Sequence, residues 1–459
     1  MDINTDVIIL AAGKGSRMGS AMPKVLHKIG AKTMVQHVID QAKKLDVSNQ
    51  EMTIHVVVGH QAELMITTLT DQNIIFAMQA KQLGTGHAVA QAVKNSSDNG
   101  VSLILYGDVP LTQSHTMQEL IDIAKKDQLA LLTVNLADPS GYGRIVRDDN
   151  LNVKAIIEQK DATLTELKIS EINTGILAVA NKFLRKWIAQ LGNENAQGEY
   201  YLTDIIAMAA QDNVDIITRS PDSEQEVQGV NDKVQLAQLE RFYQRQQAQQ
   251  LMLSGATIAD PSRLDIRGSV RIEGEVEIDI NVIFEGQVVL GTGVKIAANC
   301  IIKDAYIGEN TTVKANSMID QAIVGKHCDI GPFARLRPGT ELADRAKVGN
   351  FVETKKAIIG EGSKINHLSY IGDALIGTHV NVGAGTITCN YDGVNKSQTE
   401  IGDGAFIGSN SALVAPVIIG AGATIGAGTT LTKDVAAQTL AVARAKQVSL
   451  NNWQRPVKK

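Results

Sequence analysis

A glycine-rich segment with basic residues follows the first apolar run of the chain. The run is residues 7–10, and the segment after it reads Ala11-Ala12-Gly13-Lys14-Gly15-Ser16-Arg17-Met18-Gly19, with Pro23-Lys24 further on. Glycine lets backbone N–H groups approach phosphate oxygens, and the lysines and arginine add positive charge. The glycine spacing fits neither a Walker loop nor a complete dinucleotide fingerprint. The segment predicts a phosphate-binding turn, with an ordinary tight turn as the alternative.

A carboxylate stands directly after another apolar run. Residues 103–106 are Leu-Ile-Leu-Tyr, and Gly107 and Asp108 follow them. A single Asp after a strand is usually a turn or cap residue. In a parallel sheet, however, the carboxyl ends of the strands share one edge, so Asp108 would lie beside the glycine-rich segment. A carboxylate at that place can hold Mg²⁺ against nucleotide phosphates.

The second half of the chain concentrates polar residues within an otherwise aliphatic sequence. They are Arg335, Arg337, Lys355, Lys356, His367, Tyr370, Asn381, Asn390 and Tyr391. His367 stands two residues after Ile365 and three before Tyr370, which predicts an imidazole away from the inward-facing position. An isolated histidine is usually an ordinary surface residue, and the cations could form a solvated edge. Together they also suit a general base that acts on a phosphorylated substrate.

Two kinds of element must position these residues. In the first half, short apolar runs alternate with helical spacing, at residues 7–10, 34–45, 54–58, 86–94 and 101–106 in turn. This alternation predicts parallel βαβ units, which gather ligands at the carboxyl ends of their strands. Residues 234–252 contain neither Gly nor Pro and predict one long connecting helix.

A six-residue repeat replaces these patterns in the second half. Aliphatic residues recur at every sixth position, as in Ile401, Ile407, Leu413, Ile419, Ile425 and Leu431. A parallel β-helix explains this period, because each of three faces takes one hexapeptide, giving about ten coils of about 18 residues. A low-complexity segment is the alternative, but such segments keep no fixed period. The polar residues 388–400 predict a protruding loop, and residues 440–459 form a basic tail.

Composition excludes several classes of protein. The 459 residues are 44% hydrophobic and 20% charged with a net charge of -5, which indicates a globular multidomain protein rather than a nucleic-acid binder. Three scattered cysteines exclude a disulfide framework. The sequence has no signal-like N-terminus and no apolar run of about 18 residues, so we expect a soluble, intracellular protein that does not enter a membrane.

Further blocks carry a resemblance to known enzymes. The blocks LAAGKGSRM, PK, QAKQLGTGH, LILYGDVPL, GYGRI and EINTG are similar to those of sugar-1-phosphate uridylyltransferases. With FARLRPG, VGNFVETKK, HLSY, NVGAGTITCNYDG and LVAP, essentially the whole chain resembles the bacterial bifunctional N-acetylglucosamine-1-phosphate uridylyltransferase/glucosamine-1-phosphate acetyltransferase family. The resemblance implies a Rossmann-like α/β nucleotidyltransferase domain at residues 1–233, a linker helix at 234–254 and a left-handed parallel β-helix with a tail at 255–459. It also implies a cytoplasmic homotrimer.

The first activity that the resemblance implies is uridylyl transfer from UTP to N-acetylglucosamine 1-phosphate, with release of pyrophosphate and formation of UDP-N-acetylglucosamine. In-line attack of this kind needs positioning and charge neutralisation more than an acid or base. By motif, the residues expected to line the nucleotide site are Leu10, Ala11, Ala12, Gly13, Arg17, Lys24, Gln79, Gly84, Thr85, Tyr106, Gly107, Asp108, Gly143, Glu158, Asn173 and Asn231. Asp108 and Asn231 are expected to hold Mg²⁺.

The second implied activity is acetyl transfer from acetyl-CoA to glucosamine 1-phosphate. By resemblance, His367 is the base that deprotonates the amine, and Arg337, Lys355, Tyr370 and Asn381 bind the sugar phosphate. The expected acetyl-CoA contacts are Ala384, Asn390, Tyr391, Ser409, Ala427 and Arg444. The chain departs from the family pattern at Ile365-Asn366, before the base, and at Ala445-Lys446, after Arg444.

Two alternatives belong to other functional classes. A single-activity nucleotidyltransferase would use its β-helix only to oligomerise, and it would have no need of the histidine with its cations. A scaffold protein with an inactivated nucleotidyltransferase fold predicts losses in the glycine-rich segment or at Asp108, and the sequence retains both.

Overall fold

The computed structural model describes residues 3–47, 51–70, 73–97 and 99–458, in two compact units, Met1–Tyr243 and Gln244–Lys459. In these described ranges no helix has the length and apolarity that a membrane span requires. The units divide within a long helix, because Leu239 is buried in the core of the first unit, whereas Ala248 and Leu251 are buried in that of the second. The domain boundaries at 233 and 254 stay a prediction.

The first unit contains eleven strands and six complete helices within its described residues. The strands β1 to β11 are Asn4–Leu10, Lys28–Ile29, Lys32–Thr33, Met52–Val58, Ile74–Met78, Gly100–Tyr106, Leu129–Asn135, Arg144–Arg147, Val153–Ile157, Glu171–Ala180 and Ile216–Arg219. The helices α1 to α6 are Met34–Ala42, Ala62–Thr68, Thr85–Val93, Ser114–Ala124, Asn181–Ile188 and Asp204–Gln211. The helix that continues into the second unit, α7, is Lys233–Leu253, which confirms the predicted long helix.

The main sheet of the first unit has the strand order β11-β7-β10-β6-β1-β4-β5. Strands β6, β1, β4 and β5 are parallel to one another, as predicted, whereas β10 runs antiparallel to both β6 and β7. Val7, Ile8 and Ile9 of β1 are fully buried, because the sheet is covered on both faces and a covered strand needs a continuous apolar run. The sheet therefore directs the ends of β1 and β6 towards the same edge.

The second unit consists almost wholly of short strands. In chain order, β12 to β36 are Ala256–Ile258, Leu264–Ile272, Val276–Ile278, Val282–Leu290, Lys295–Ile296, Ile301–Ile307, Thr312–Val313, Met318–Asp320, Ile323–Val324, Asp329–Ile330, Arg335–Leu336, Glu341–Leu342, Lys347–Asn350, Glu353–Ile359, Lys364–His367, Tyr370–Ile376, Asn381–Val382, Ile387–Cys389, Thr399–Ile401, Phe406–Ile407, Ala412–Val414, Val417–Ile419, Thr424–Ile425, Thr430–Leu431 and Leu440–Ala441. They form sheets of 11 and 14 strands with parallel pairing between successive coils, which confirms the predicted β-helix.

The repeat residues point inward and the corners carry the backbone strain. Ile407, Leu413 and Ile425 are fully buried in one continuous core. Many corners take a left-handed backbone conformation, which Asn tolerates better than most residues. At three successive corners of one edge, however, the left-handed residues are Phe333, Phe351 and Leu368, and their side chains are exposed. The two phenyl rings stack with centroids 5.2 Å apart.

The protruding loop is shorter than predicted. Strands occupy Ile387–Cys389 and Thr399–Ile401, so the loop spans only residues 390–398. Thr388 keeps the inward position of the repeat and is buried, which explains why the strand continues into the polar stretch.

Candidate active sites

A cavity of about 280 Å³ opens in the first unit at the carboxyl ends of β1 and β6. Of the residues predicted for the nucleotide site, those that line it are Leu10, Ala11, Ala12, Gly13, Lys24, Gln79, Gly84, Thr85, Tyr106 and Asp108. The backbone N–H of Gly107 donates to Leu10 O (2.9 Å), which ties the two strand ends together beneath the cavity. Gln82 and Glu199 also line it, although sequence reasoning did not single them out.

At one end of this site, two basic side chains contact the side-chain oxygens of two predicted residues. The Lys24 ammonium forms an ion pair with Asp108 and donates to Asn231 Oδ1 (3.3 Å). The guanidinium of Arg17 also donates to Asn231 Oδ1 (2.9 Å). The backbone N–H of Val230 donates to Asp108 O (3.0 Å), so the segment before α7 is fixed against the end of β6. The side-chain oxygens of Asp108 and Asn231 thus converge on the Lys24 ammonium, and Asn231 also accepts from Arg17.

The remaining predicted residues lie around Tyr106. Burial, and then the charges of Glu158 and Asp108, raise the pKa of Tyr106, so its ring lies near both carboxylates. Burial also raises the pKa of Glu158, although the hydroxyl of Thr203 donates to that carboxylate at 3.1 Å. The backbone N–H of Asn173 donates to Gly143 O (2.9 Å), which joins the two segments that carry these predicted residues of the nucleotide site.

Two residues of the GYGRI block have roles that the sequence alone did not assign. Burial, followed by the charge of Asp108, raises the pKa of Tyr142, which therefore faces the same carboxylate as Tyr106. Arg144 is almost fully buried and donates to Gln159 Oε1 (2.8 Å), which also accepts from the N–H of Gly141 (3.2 Å). Arg144 and Gln159 thereby hold the loop that presents Gly143.

In the second unit, five residues form a column along one edge of the β-helix. Asn350, His367, Ala384, Ser409 and Ala427 each precede a corner residue in the left-handed conformation. The carbonyl oxygens of the first four each accept the N–H of the corner residue one coil further on, at 3.0, 3.3, 2.8 and 2.8 Å in that order. We name these five residues the edge column.

The edge column unites the predicted base with several predicted acetyl-CoA contacts. The guanidinium of Arg444 donates to Ala427 O (2.9 Å), so the tail begins against the last member of the column. With Ala445-Lys446 after it, Arg444 still reaches the edge column, and its contact with acetyl-CoA stays a prediction. At the other departure, Asn366 is half-buried beside the exposed His367.

A second group of polar residues lies on the 14-stranded sheet. The guanidinium of Arg337 donates to Glu353 Oε1 (2.7 Å), and Glu353 is the register partner of Tyr370 on the next strand. Lys396 of the loop and then Arg337 lower the pKa of Lys355, so three positive charges face one another here. Such a cluster is poised to bind an anion, because an anion relieves the mutual repulsion. Lys396 lies in the polar stretch 388–400, three residues after the NYDG motif, and was not predicted as a site residue.

Asn390 joins this cluster rather than the edge column. Its amide donates to Asp373 Oδ2 (2.5 Å), and a Cβ at Gly372 would lie 2.5 Å from the Tyr370 hydroxyl and 2.8 Å from Asn390 Nδ2. The absence of a side chain at Gly372 therefore lets these two predicted residues approach each other. The hydroxyl of Tyr391 donates to Gly393 O (2.5 Å) within the exposed loop.

The structure does not bring all of the predicted acetyl-site residues together in one chain. His367 and Asn381 belong to the 11-stranded sheet, whereas Lys355 and Tyr370 belong to the other, and Arg337 directly follows β22 of that second sheet. Within residues 255–458, no hydrogen bond or ion pair joins His367 to those cations or to Tyr370.

Comparison with protein families divides the chain in the same way. Residues 7–162 match the MobA-like NTP transferase domain, and residues 398–433 match the bacterial transferase hexapeptide (six repeats). Residues 266–359 match the GMPPB C-terminal domain.

Comparison with curated proteins finds relatives of the same length. The chain is 58% identical over 454 residues to the bifunctional protein GlmU of Cellvibrio japonicus, with 99% of each chain covered. It is 56% identical over 452 residues to the bifunctional protein GlmU of Marinobacter nauticus, with 98% of this chain and 99% of that protein covered.

Proposed function

This chain belongs to the bifunctional GlmU family, and on that premise we propose which of its residues carry each of two transfer reactions. It is a bifunctional enzyme that acetylates glucosamine 1-phosphate with acetyl-CoA and transfers uridylyl from UTP to N-acetylglucosamine 1-phosphate. The observation that carries the proposal is that each unit has its own polar constellation: the cavity beside Asp108 and the edge column with His367. The full-length identity also favours two activities over the single-activity and scaffold alternatives.

In the uridylyl site, the chain's own residues bind and neutralise the phosphates. Residues 11–13 line the cavity, and because the N–H of Ala11 already donates to Val57 O (3.0 Å), the N–H groups of Ala12 and Gly13 are the ones that donate to phosphate oxygens. Lys24 and Arg17 add positive charge where negative charge accumulates as the sugar phosphate attacks and pyrophosphate leaves. Glu158, Asn173 and the Gly143 backbone orient the sugar. No residue has to act as a nucleophile.

The same site suits Mg²⁺. The oxygens of Asp108 and Asn231 already converge on the Lys24 ammonium, so they fit a divalent cation at that place. When bound, Mg²⁺ neutralises charge on the nucleotide phosphates. We propose that Lys24 then releases these two oxygens and turns to the phosphates.

In the acetyl site, we propose that His367 accepts a proton from the substrate amine. The amine nitrogen forms a bond to the thioester carbonyl carbon, the C–S bond breaks, and the proton passes through the imidazole to the leaving thiolate. The edge column from His367 to Ala427, with Arg444 at its end, offers a surface along which acetyl-CoA lies. The cluster of Arg337, Lys355 and Tyr370, with Asn381, takes the sugar phosphate.

Because these two groups lie on different sheets, we propose that they meet in a homotrimer. An outward row that is mostly apolar supports this, since a second copy can cover it: Tyr306, Ile323, Ile358, Leu375 and Ile418, with Glu341 and Glu400 as the charged members of the same row. Sedimentation of wild type at three times the chain mass, and its loss in I358E, tests the assembly. We further propose a cytoplasmic location, which suits reactions that consume acetyl-CoA and UTP.

The two activities can be separated by measurement. Purified protein receives glucosamine 1-phosphate, acetyl-CoA, UTP and Mg²⁺, and free thiol and pyrophosphate are followed separately. Pyrophosphate release is measured with N-acetylglucosamine 1-phosphate supplied directly, because H367A cannot form it. We then expect D108A to lose pyrophosphate release alone and H367A to lose thiol release alone. If each variant loses both products even when N-acetylglucosamine 1-phosphate is supplied, the two-site assignment is wrong.

A further inference from the structure

The ring of His367 has a hydrogen-bond partner on the preceding coil. Its Nδ1 lies 2.5 Å from the side-chain oxygen Oδ1 of Asn350, and the two residues are register partners on β24 and β26. Within residues 255–458, Asn350 is the one hydrogen-bond partner of this ring. Asn350 belongs to the edge column, but neither residue type nor motif assigned it a role.

This contact determines which ring nitrogen can accept a proton. An amide oxygen only accepts hydrogen bonds, so Nδ1 must carry the hydrogen that it donates. In a neutral imidazole the lone pair is then on Nε2. The contact therefore selects the tautomer in which Nε2 is the base, and it restricts rotation of the exposed ring.

The backbone around the pair is independently fixed. The N–H of Leu368 donates to Asn350 O (3.0 Å), the hydroxyl of Ser369 donates to His367 O (2.9 Å), and the N–H of Gly385 also donates to His367 O (3.3 Å). These bonds hold the main chain without touching the imidazole. Loss of the Asn350 amide should therefore free the ring while the coil stays intact.

We propose that Asn350 is a positioning residue for acetyl transfer, which holds His367 in the Nδ1–H tautomer with Nε2 available to the substrate amine. The inference rests on the proposed role of His367 as the base. An amide suits this task better than a carboxylate, because it orients the ring without adding a negative charge that favours the imidazolium.

The test compares N350A, N350D and N366A with wild type. N350A removes the accepting oxygen, and N350D retains one. N366A removes the amide of the residue that directly precedes His367 on β26. Thiol release gives kcat and KM for acetyl transfer, and pyrophosphate release from the same preparation checks that the protein is folded. Labelling the nine histidines with ¹⁵N, with H367Q for assignment, reports which ring nitrogen of His367 carries the hydrogen.

We expect kcat for acetyl transfer in N350A to fall roughly 10- to 100-fold, because a small misplacement of a catalytic group costs that much. KM should change little, and the Nδ1–H signal should give way to a tautomer mixture. N350D should restore the signal and most of kcat, and N366A should resemble wild type. An Nε2–H signal in wild type, or wild-type kcat in N350A, overturns the inference. If wild type itself releases no thiol, the proposed acetyl transfer fails instead.

Discussion

A single methyl group added at Gly175 should damage the uridylyl site selectively. Its backbone has φ of +87°, and a Cβ there would lie 2.5 Å from Cε2, 2.8 Å from Cζ and 3.0 Å from the hydroxyl of Tyr106. Carbon atoms prefer a separation of about 3.5–4.0 Å, so the ring must move by about 1 Å. Tyr106 also packs against the core, which leaves the cavity that it lines as the direction of movement.

The structure sets the expected size of the effect. The left-handed conformation costs an alanine roughly 1–2 kcal/mol, and overpacking adds about 1–3 kcal/mol. We therefore expect G175A to lower the free energy of unfolding of the first unit by about 2–5 kcal/mol. A displacement of about 1 Å at a site that works by positioning should lower kcat/KM for uridylyl transfer about 100-fold.

Substitutions at two other glycines separate the effect of backbone strain from that of the clash with Tyr106. Gly141 has the same φ of +87° with no atom within 4 Å of its Cβ position, so G141A measures the backbone strain without the clash. Gly192 has neither the strain nor a neighbour, so G192A should be neutral or slightly stabilising. Stability is measured by urea unfolding and activity by pyrophosphate release, with thiol release as the internal control. Uridylyl transfer in G175A at the wild-type rate would refute the reasoning.

Three further outcomes are expected. Burial raises the pKa of Glu158, so the folded protein keeps this proton to higher pH than the unfolded chain, and stability falls as pH rises from about 4.3 through the folded pKa. The Tm of E158Q relative to wild type should therefore increase between about pH 4 and about pH 7, and a constant difference contradicts this. On the proposed contact of Arg444 with acetyl-CoA, R444A should raise KM for acetyl-CoA about 10- to 150-fold, since a charged hydrogen bond contributes about 1.5–3 kcal/mol, and leave pyrophosphate release unchanged. I407A should cost the β-helix about 2–5 kcal/mol in urea unfolding because Ile407 is fully buried, and a loss well under 1 kcal/mol would show that the core relaxes into the space.

The architecture was predictable because the strand–helix alternation of the first half and the six-residue repeat of the second are both local patterns. A six-residue period has one common structural explanation, and Ile407 and Ile425 occupy the inward positions that it predicts. The glycine-rich segment and Asp108 were predictable as neighbours because both follow strands of one parallel sheet. The antiparallel direction of β10 was not predictable, since an apolar run does not show in which direction its strand runs in the sheet.

The contacts that complete the sites depend on the path of the chain. Asn231 meets Lys24 across 207 positions, and no spacing in the sequence predicts that. Asn350 and His367 are 17 positions apart, which is one coil of the repeat, so their contact could have been found from the period. The period alone does not extend the edge column from Ala384 to Ser409, because the loop at residues 390–398 makes this interval longer than one coil.

The edge column also acts as a ruler. Successive strands in a sheet are about 4.8 Å apart, so the three steps from His367 to Ala427 measure roughly 14 Å. Extra residues within the loop at 390–398 leave this length unchanged, because the loop leaves the β-helix and returns to it on the next coil. Deletion of one whole coil would bring Arg444 about 4.8 Å closer to His367, so that a donor anchored at Arg444 would no longer place its acetyl group at the base, even with every side chain of the site retained. On the proposed placement of acetyl-CoA, the number of coils between His367 and Arg444 sets the distance from the anchor of the donor to the base.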